Sequence, residues 1–243
     1  MLTADHVFVN KKIDHHNLKR LLPEDKITYV KPGITPGDFR FDHRTRREIR
    51  DRMGIGDEPV IITAAMFRPG VKTDGLSWVI RACGALLNIG RTFMLVIIGD
   101  GQERRKLEEL AGSQVPGKVY FVGEVPRQEI YRYYSAGDVF VFPGIGESLG
   151  MVYLEAQSCG LPVVAFDNAG VPEVVKKGTT GFLLPSYKMP AYIEAIDLLL
   201  QDLETRRKMS RAAAAYIRSE HDLNRNYAAV EKTLLRIVNF TGG

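Results

Sequence analysis

Residues 138–166 read DVFVFPGIGESLGMVYLEAQSCGLPVVAF. Two apolar runs, 138–142 and 162–166, flank a glycine-rich turn and a segment, 148–158, with helical apolar spacing. The runs are rich in Val and Phe and lack polar alternation, as expected of strands buried on both sides. Strand, helix and strand in that order predict a βαβ unit, and so a parallel sheet. The same grammar appears upstream. PVIITAA (59–65), FMLVII (93–98) and KVYFV (118–122) read as strands, and 75–89, 102–111 and 126–135 as helices between them. The expected fold class is α/β, a Rossmann-like parallel sheet with helices on both faces. From Met189 to about Phe240 the apolar spacing predicts three more helices.

The first forty residues differ. ADHVFVN reads as a strand, KKIDHHNLKRLL as a helix and ITYV as a second strand. KPGITPGDF then reads as a linker, because Pro and Gly punctuate it. A basic helix, DHRTRREIRDRMG, follows and ends at Gly54. The strand–helix–strand piece is too small to be a domain. The expected division is therefore 1–40 as the edge of another unit with its linker, 41–222 as the sheet domain, and 223–243 as a last helix.

A chain of 243 residues can bury a sizeable core. Its net charge of +4 suits an anionic ligand but is too small to argue for nucleic acid. The two cysteines, Cys83 and Cys159, sit in apolar helical contexts and read as reduced core residues. No apolar run is long enough to span a bilayer, and no signal peptide opens the chain, so the expected setting is the cytoplasm. His15 and His16 read as exposed helix residues. The arginines of 44–52 read as a solvated face, with an anionic membrane contact as the alternative.

Three readings compete for the turn at 146–150. Gly146-Glu147-Ser148-Leu149-Gly150 matches the G-x-S-x-G elbow of serine hydrolases, with Ser148 as nucleophile and Asp167 or Asp197 and His221 completing a triad. Pro143-Gly144-Ile145 lengthens the approach, however, and no oxyanion loop of the H-G-G-G type lies upstream. A dinucleotide reading starts from Gly99-Asp100-Gly101 after a strand, but Arg104 stands where the third glycine belongs. The third reading makes Ser148 the N-cap of a helix ending at Gly160, with Leu149, Val152, Ala156 and Cys159 on one apolar face. Glu147 then lies beside the free N–H groups of the first turn, and Glu155 two turns along. A helix N-terminus offers donors to a diphosphate, and two carboxylates accept from sugar hydroxyls. That inventory suits a nucleotide sugar.

These residues form a longer pattern. Glu147 and Glu155 make E-x7-E. Gly160-Leu161-Pro162-Val163-Val164, Ala169-Gly170-Val171-Pro172-Glu173 and Thr180-Gly181-Phe182-Leu183 follow in order. Together with LVIIGDGQERRKLEEL, VYFVGEVPRQEIYRYYSAGDVFVFP and YVKPGITPGDF, the chain closely resembles the family 4 retaining glycosyltransferases of the GT-B fold. The resemblance implies that the chain is mainly the donor-binding half of such an enzyme, with the 223–243 helix packing toward the missing N-terminal acceptor domain. It implies that Glu147 binds hydroxyls of the donor sugar and Glu155 the ribose diol, with the amides of Leu149 and Gly150 facing sugar and diphosphate. Ser148, Gly99, Gly101 and Val125 join the donor-binding set on the matching segments. The family's basic pair falls in Ala65-Met66-Phe67-Arg68-Pro69-Gly70-Val71-Lys72, where Arg68 and Lys72 are the candidates for the diphosphate and their register stays open. With Glu147 they form the expected catalytic set. No Asp-x-Asp occurs in the chain, so neither a metal nor another cofactor is expected. The expected partners are a nucleotide-sugar donor and an acceptor half, supplied by a missing domain or another chain. The alternative is a nucleotide-sugar-binding module without turnover.

Overall fold

Val60–Ala64 (β3) lies in the middle of the sheet, and every one of its five residues, VIITA, is buried. The computed structural model describes residues 4–241. In it β3 pairs in parallel with Met94–Ile98 (β4) on one side and Val139–Val141 (β6) on the other. Val119–Gly123 (β5) extends the sheet beyond β4, while Val163–Phe166 (β7) and Gly181–Leu184 (β8) extend it beyond β6. The strand order is β5-β4-β3-β6-β7-β8. The chain thus walks outward from β3 in one direction, then returns and walks out in the other. Right-handed crossovers put the helices of the two walks on opposite faces. Val71–Asn88 (α3) and Arg104–Gln114 (α4) belong to the first walk and pack together, joined by Met189–Gln201 (α8). Ile130–Ala136 (α5) and Met151–Ser158 (α6) belong to the second walk, where His43–Arg52 (α2) packs on α5 and Leu203–Glu220 (α9) on α6. The sheet core between the layers is aliphatic and aromatic, with Cys83 and Cys159 buried in it as free thiols.

The expected strands are found within one or two residues, and the three tail helices are α8, α9 and Leu223–Thr241 (α10). Four readings are corrected. First, the expected strands stop at 166, whereas Gly181–Leu184 is a further strand, β8, at the sheet edge. Second, the arginines of 44–52 are not all a solvated face. Arg46 and Arg50 fork onto Asp138 at 2.8 and 2.6 Å, and Arg46 Nη1 also donates to the carbonyls of Ser135, Ala136 and Gly137. Those carbonyls end α5, where a cation complements the helix dipole. Asp138 also accepts from the amide of Val60, so one carboxylate ties α2, β3 and β6 together.

Third, the proline- and glycine-rich stretch is no free linker. Ile34 and Phe39 are buried, the Ile34 amide donates to His221 O at 2.9 Å, and the Leu223 amide donates to Ile34 O at 2.8 Å. The stretch is stitched to the tail between α9 and α10. The N-terminal piece itself is a two-stranded parallel sheet, Val7–Val9 (β1) with Ile27–Tyr29 (β2), around Lys12–Leu18 (α1). Glu173 accepts from the Lys12 amide and from the Tyr29 hydroxyl, both at 2.7 Å, and so joins this piece to the main unit. The fourth correction concerns Ser148 and belongs to the site. Among the described residues no helix is long and apolar enough to cross a membrane.

Candidate functional site

The two walks of the chain diverge at β3 and β6, so their C-terminal ends open a crevice at a topological switch point. In open α/β sheets ligands bind there, because two adjacent loops leave in opposite directions. The loop after β3 carries Arg68 and leads to Lys72 in the first turn of α3. The loop after β6 carries Glu147. Across the crevice Lys72 Nζ meets Glu147 Oε2 at 2.5 Å. Both side chains are largely shielded, at 26 and 14 % exposure, so the pair is only partly screened by water. Arg68 is exposed, and its carbonyl accepts from the Thr73 hydroxyl at 2.6 Å, which fixes the loop that bears it.

Ser148 does not cap the helix. Gly150, in the left-handed region at φ 68°, is the N-cap of α6, and the helix begins at Met151. A Cβ at Gly150 would lie 2.8 Å from both Tyr153 and Val174, so only glycine fits this entry. No side chain caps α6, and Glu147 instead orders the turn that precedes it. Its Oε1 accepts from the amides of Ser148 at 3.1 Å and Gly150 at 3.4 Å, while its Oε2 holds Lys72. Glu147 is therefore oriented from both ends. The triad reading loses its histidine as well. His221 is fully buried, with Nδ1 2.6 Å from Pro32 O, and burial holds its pKa below the ordinary histidine value.

Glu155, two turns along from Glu147, is buried. It is 5 % exposed. Its Oε1 pairs with Arg127 Nη1 at 2.9 Å, and its Oε2 accepts from the Tyr134 hydroxyl at 3.4 Å. Burial raises the Glu155 carboxyl above the usual range, against the pull of Arg127 and Tyr134. Arg127 itself lies over the Phe39 ring, 5.0 Å from its centroid. Arg127, Leu149 and Met151 line a cleft of about 420 Å³ between the α6 entry and the stretch 30–35. Sequence reasoning missed Arg127; it stands two residues after Val125 in the quoted VPRQEI, but nothing in the spacing couples it to Glu155.

The remaining expected residues separate into two groups. Gly99 and Gly101 follow β4 and press against the loop after β3. A Cβ would lie 1.9 Å from Ala65 O at the first and 2.6 Å from Phe67 O at the second. Their shown role is close backbone approach, which brings the β4 end beside Arg68. Val125 is half-buried against the core. The loop of Ala169-Gly170 is tied to the site by a hydrogen bond from the Gly170 amide to Glu147 O at 2.9 Å. The His, Cys, Asp and Glu side chains of the described residues form no group of three or more able to hold a metal ion.

A sequence profile of the family described as "Glycosyl transferases group 1" matches residues 45–216, well over half of the chain. The chain belongs to this glycosyltransferase family. The matched span starts in α2 and ends in α9, so it contains the whole six-stranded sheet and both walls of the crevice. The alpha-D-kanosaminyltransferase of Streptomyces kanamyceticus is 32% identical over 180 residues, which is 74% of this chain and 46% of that protein. A GDP-mannose-dependent alpha-(1-6)-phosphatidylinositol monomannoside mannosyltransferase of Mycolicibacterium smegmatis is 32% identical over 207 residues, 82% of this chain and 52% of that protein. The chain thus spans about half the length of these curated relatives. Among solved structures, sucrose-phosphate synthase from Thermosynechococcus elongatus superposes with a TM-score of 0.81 at 24% identity, over 99% of this chain and 60% of that one. That likeness shows a shared fold.

Proposed function

We propose that the chain is the donor-binding half of a retaining glycosyltransferase. It holds a nucleoside-diphosphate sugar at the switch-point crevice, and a second half presents the acceptor. The observation that carries this reading is the Lys72–Glu147 pair, a cation and an oriented carboxylate held 2.5 Å apart across the crevice. A nucleotide-sugar donor needs both: a cation for the leaving diphosphate and a carboxylate for the sugar hydroxyls. The GDP-mannose dependence of the mycobacterial relative supports a donor of this class.

In the proposed reaction the bond from the anomeric carbon to the diphosphate oxygen breaks, and its electron pair leaves with the diphosphate. Lys72 and Arg68 offset the charge that develops there. The acceptor hydroxyl bonds to the anomeric carbon on the same face, and its proton passes to the departing phosphate oxygen. Glu147 fixes the sugar through its hydroxyls. Glu155, with Arg127 beside it, takes the ribose diol. The positive side chains fill the role a divalent ion would otherwise play, so binding is proposed to need no metal. The reduced, buried Cys83 and Cys159 support a cytoplasmic setting. The 1–30 piece and α10 are proposed to belong to the acceptor side.

The test is calorimetry of the chain with nucleoside diphosphates and nucleotide sugars, with and without a chelator, alongside a transfer assay. Binding that survives the chelator is expected. Transfer is expected to be absent, since acceptor positioning can contribute roughly 7–11 kcal/mol of the barrier reduction. Binding that vanishes in chelator overturns the metal-free proposal, and failure to bind any nucleotide overturns the site. Robust turnover by the chain alone overturns the division into halves.

A further inference from the structure

At the other end of the strands lies a feature the transferase reading does not use. The starts of β3, β6 and β7, at Pro59, Gly137 and Leu161, form the floor of a groove of about 1060 Å³. Its walls come from the 36–46 segment and from α9. Six arginines line it, Arg40, Arg46, Arg206, Arg207, Arg211 and Arg218, against two aspartates, Asp57 and Asp138. The lining thus carries a formal charge of +4.

Part of this charge is structural. Arg46 serves Asp138 and the end of α5, and Arg206 Nη1 donates to the carbonyls of Leu199 and Leu200 that end α8. Arg207, Arg211 and Arg218 are exposed and have no hydrogen bond or ion pair from their side chains among the described residues, while Arg40, also exposed, feels the carboxylate of Asp42 without forming an ion pair with it. The positions 207, 211 and 218 fall on one face of α9 at helical spacing, along roughly 16 Å of its axis. Arg40 faces them from the opposite wall, beside Phe41, whose exposed ring meets His43 edge-on at 4.7 Å. Unpaired like charges gathered in a concavity repel one another, and an anion relieves that repulsion.

We propose that this groove binds a small molecule carrying two or more phosphate groups, at a site separate from the donor crevice. Arginine forks match phosphate oxygens two at a time, and several in one concavity recognise a compact polyanion. The concave shape and the arginines on facing walls favour such a ligand over a flat membrane surface. The five residues of β3 separate the two ends of the sheet by roughly 16 Å. The ligand is therefore not the donor's own diphosphate. Helix α6 runs from the donor loop at Gly150 to the groove at Ser158, so both sites touch the same element.

The probe is inorganic tripolyphosphate, titrated calorimetrically into the 243-residue chain, in parallel with a nucleoside diphosphate. The variants are the double substitution Arg207→Glu with Arg211→Glu, the milder Arg207→Gln with Arg211→Gln, and Lys72→Ala. The expected result is that tripolyphosphate binds the parent chain. The double variants should weaken it at least tenfold, with the melting temperature and the nucleoside diphosphate affinity kept. Lys72→Ala should do the reverse. Should the glutamate pair fail to fold, the glutamine pair decides. Unchanged tripolyphosphate affinity in the folded double variant, or no binding to the parent chain, overturns the proposal. So does capture on vesicles rich in phosphatidylglycerol without tripolyphosphate binding, which would make the groove a membrane-docking face. A Lys72→Ala chain that keeps full nucleoside diphosphate affinity counts against the donor crevice and leaves the groove untouched.

Discussion

Replacing Glu147 by alanine separates its two roles, because one carboxylate both orders a loop and faces the ligand. The substitution removes the ion pair with Lys72 and the bond from the Ser148 amide at 3.1 Å; the contact to Gly150 at 3.4 Å is too long to count for much. An exposed ion pair contributes at most about 1 kcal/mol, while breaking a fully buried one costs about 3–5 kcal/mol. With exposures of 26 and 14 %, this pair lies between. A loss of about 2 kcal/mol is expected, with about 0.5 kcal/mol more for the amide bond. For a chain of this size each kcal/mol moves the melting temperature by roughly 2–4 °C, so a fall of about 5–10 °C follows. The assay is a double-mutant cycle of Glu147→Ala, Lys72→Ala and both, read by thermal or urea unfolding, with a coupling of about 1–2 kcal/mol expected. Calorimetry then reads the ligand. Lys72→Ala should weaken a bare nucleoside diphosphate at least tenfold. Glu147→Ala should leave that ligand's affinity equal or higher, since Lys72 is released, and should weaken the nucleotide sugar. A coupling of zero, or equal losses of the bare diphosphate in both single variants, refutes the reasoning.

Ser148→Ala should change stability by less than about 0.5 kcal/mol, because Ser148 caps nothing, and a fluorophosphonate probe should leave the chain unlabelled. Asp138→Ala should cost about 3 kcal/mol or more in urea unfolding, since it strands Arg46 and Arg50 together. Ala169 sits at φ 46° in the left-handed region; Ala169→Gly relieves about 1 kcal/mol of strain, offset by glycine's entropy, for a net gain of about 0.5 kcal/mol in thermal unfolding. Glu155 holds its proton more tightly in the native than in the unfolded chain. Its contribution to stability is therefore full below the ordinary carboxylate value of about 4.3 and is lost as pH rises through the raised native value. Glu155→Gln should flatten that part of the urea midpoint against pH.

The sheet could be read from the sequence because β3, β4, β6 and β7 are buried on both faces and so carry unbroken apolar runs. β8 escaped because it lies at the sheet edge, starts with Gly181 and alternates in burial. Ser148 looked like a cap because its residue type suits one, but a left-handed glycine two positions later sets the true entry. The linker reading failed for a related reason. Pro and Gly were taken as freedom, whereas Ile34 pairs with a segment nearly two hundred residues away. Glu147 and Lys72 were named through the family resemblance, but their contact spans 75 positions and is made by the sheet's order alone. Arg127 carried no local mark at all, since its pairing with Glu155 depends on how the loop between β5 and α5 lies against α6.

The stitch between Ile34 and the 221–223 segment has a mechanical meaning. The chain passes from the N-terminal piece into the sheet unit, and from the sheet unit into α10, at one place, where the two crossings are bonded side by side through His221 O, Ile34 N, Ile34 O and Leu223 N. Lys31–Glu220 and Asn226–Lys31 O brace the same place. Two parallel wires fastened together resist being pulled apart more than either alone. Glu173, gripping Lys12 and Tyr29 away from the crossings, is a second fastening between the N-terminal piece and the sheet unit. Cutting the chain at either crossing alone would leave the other wire carrying the load, so a clean donor unit has to be trimmed at both.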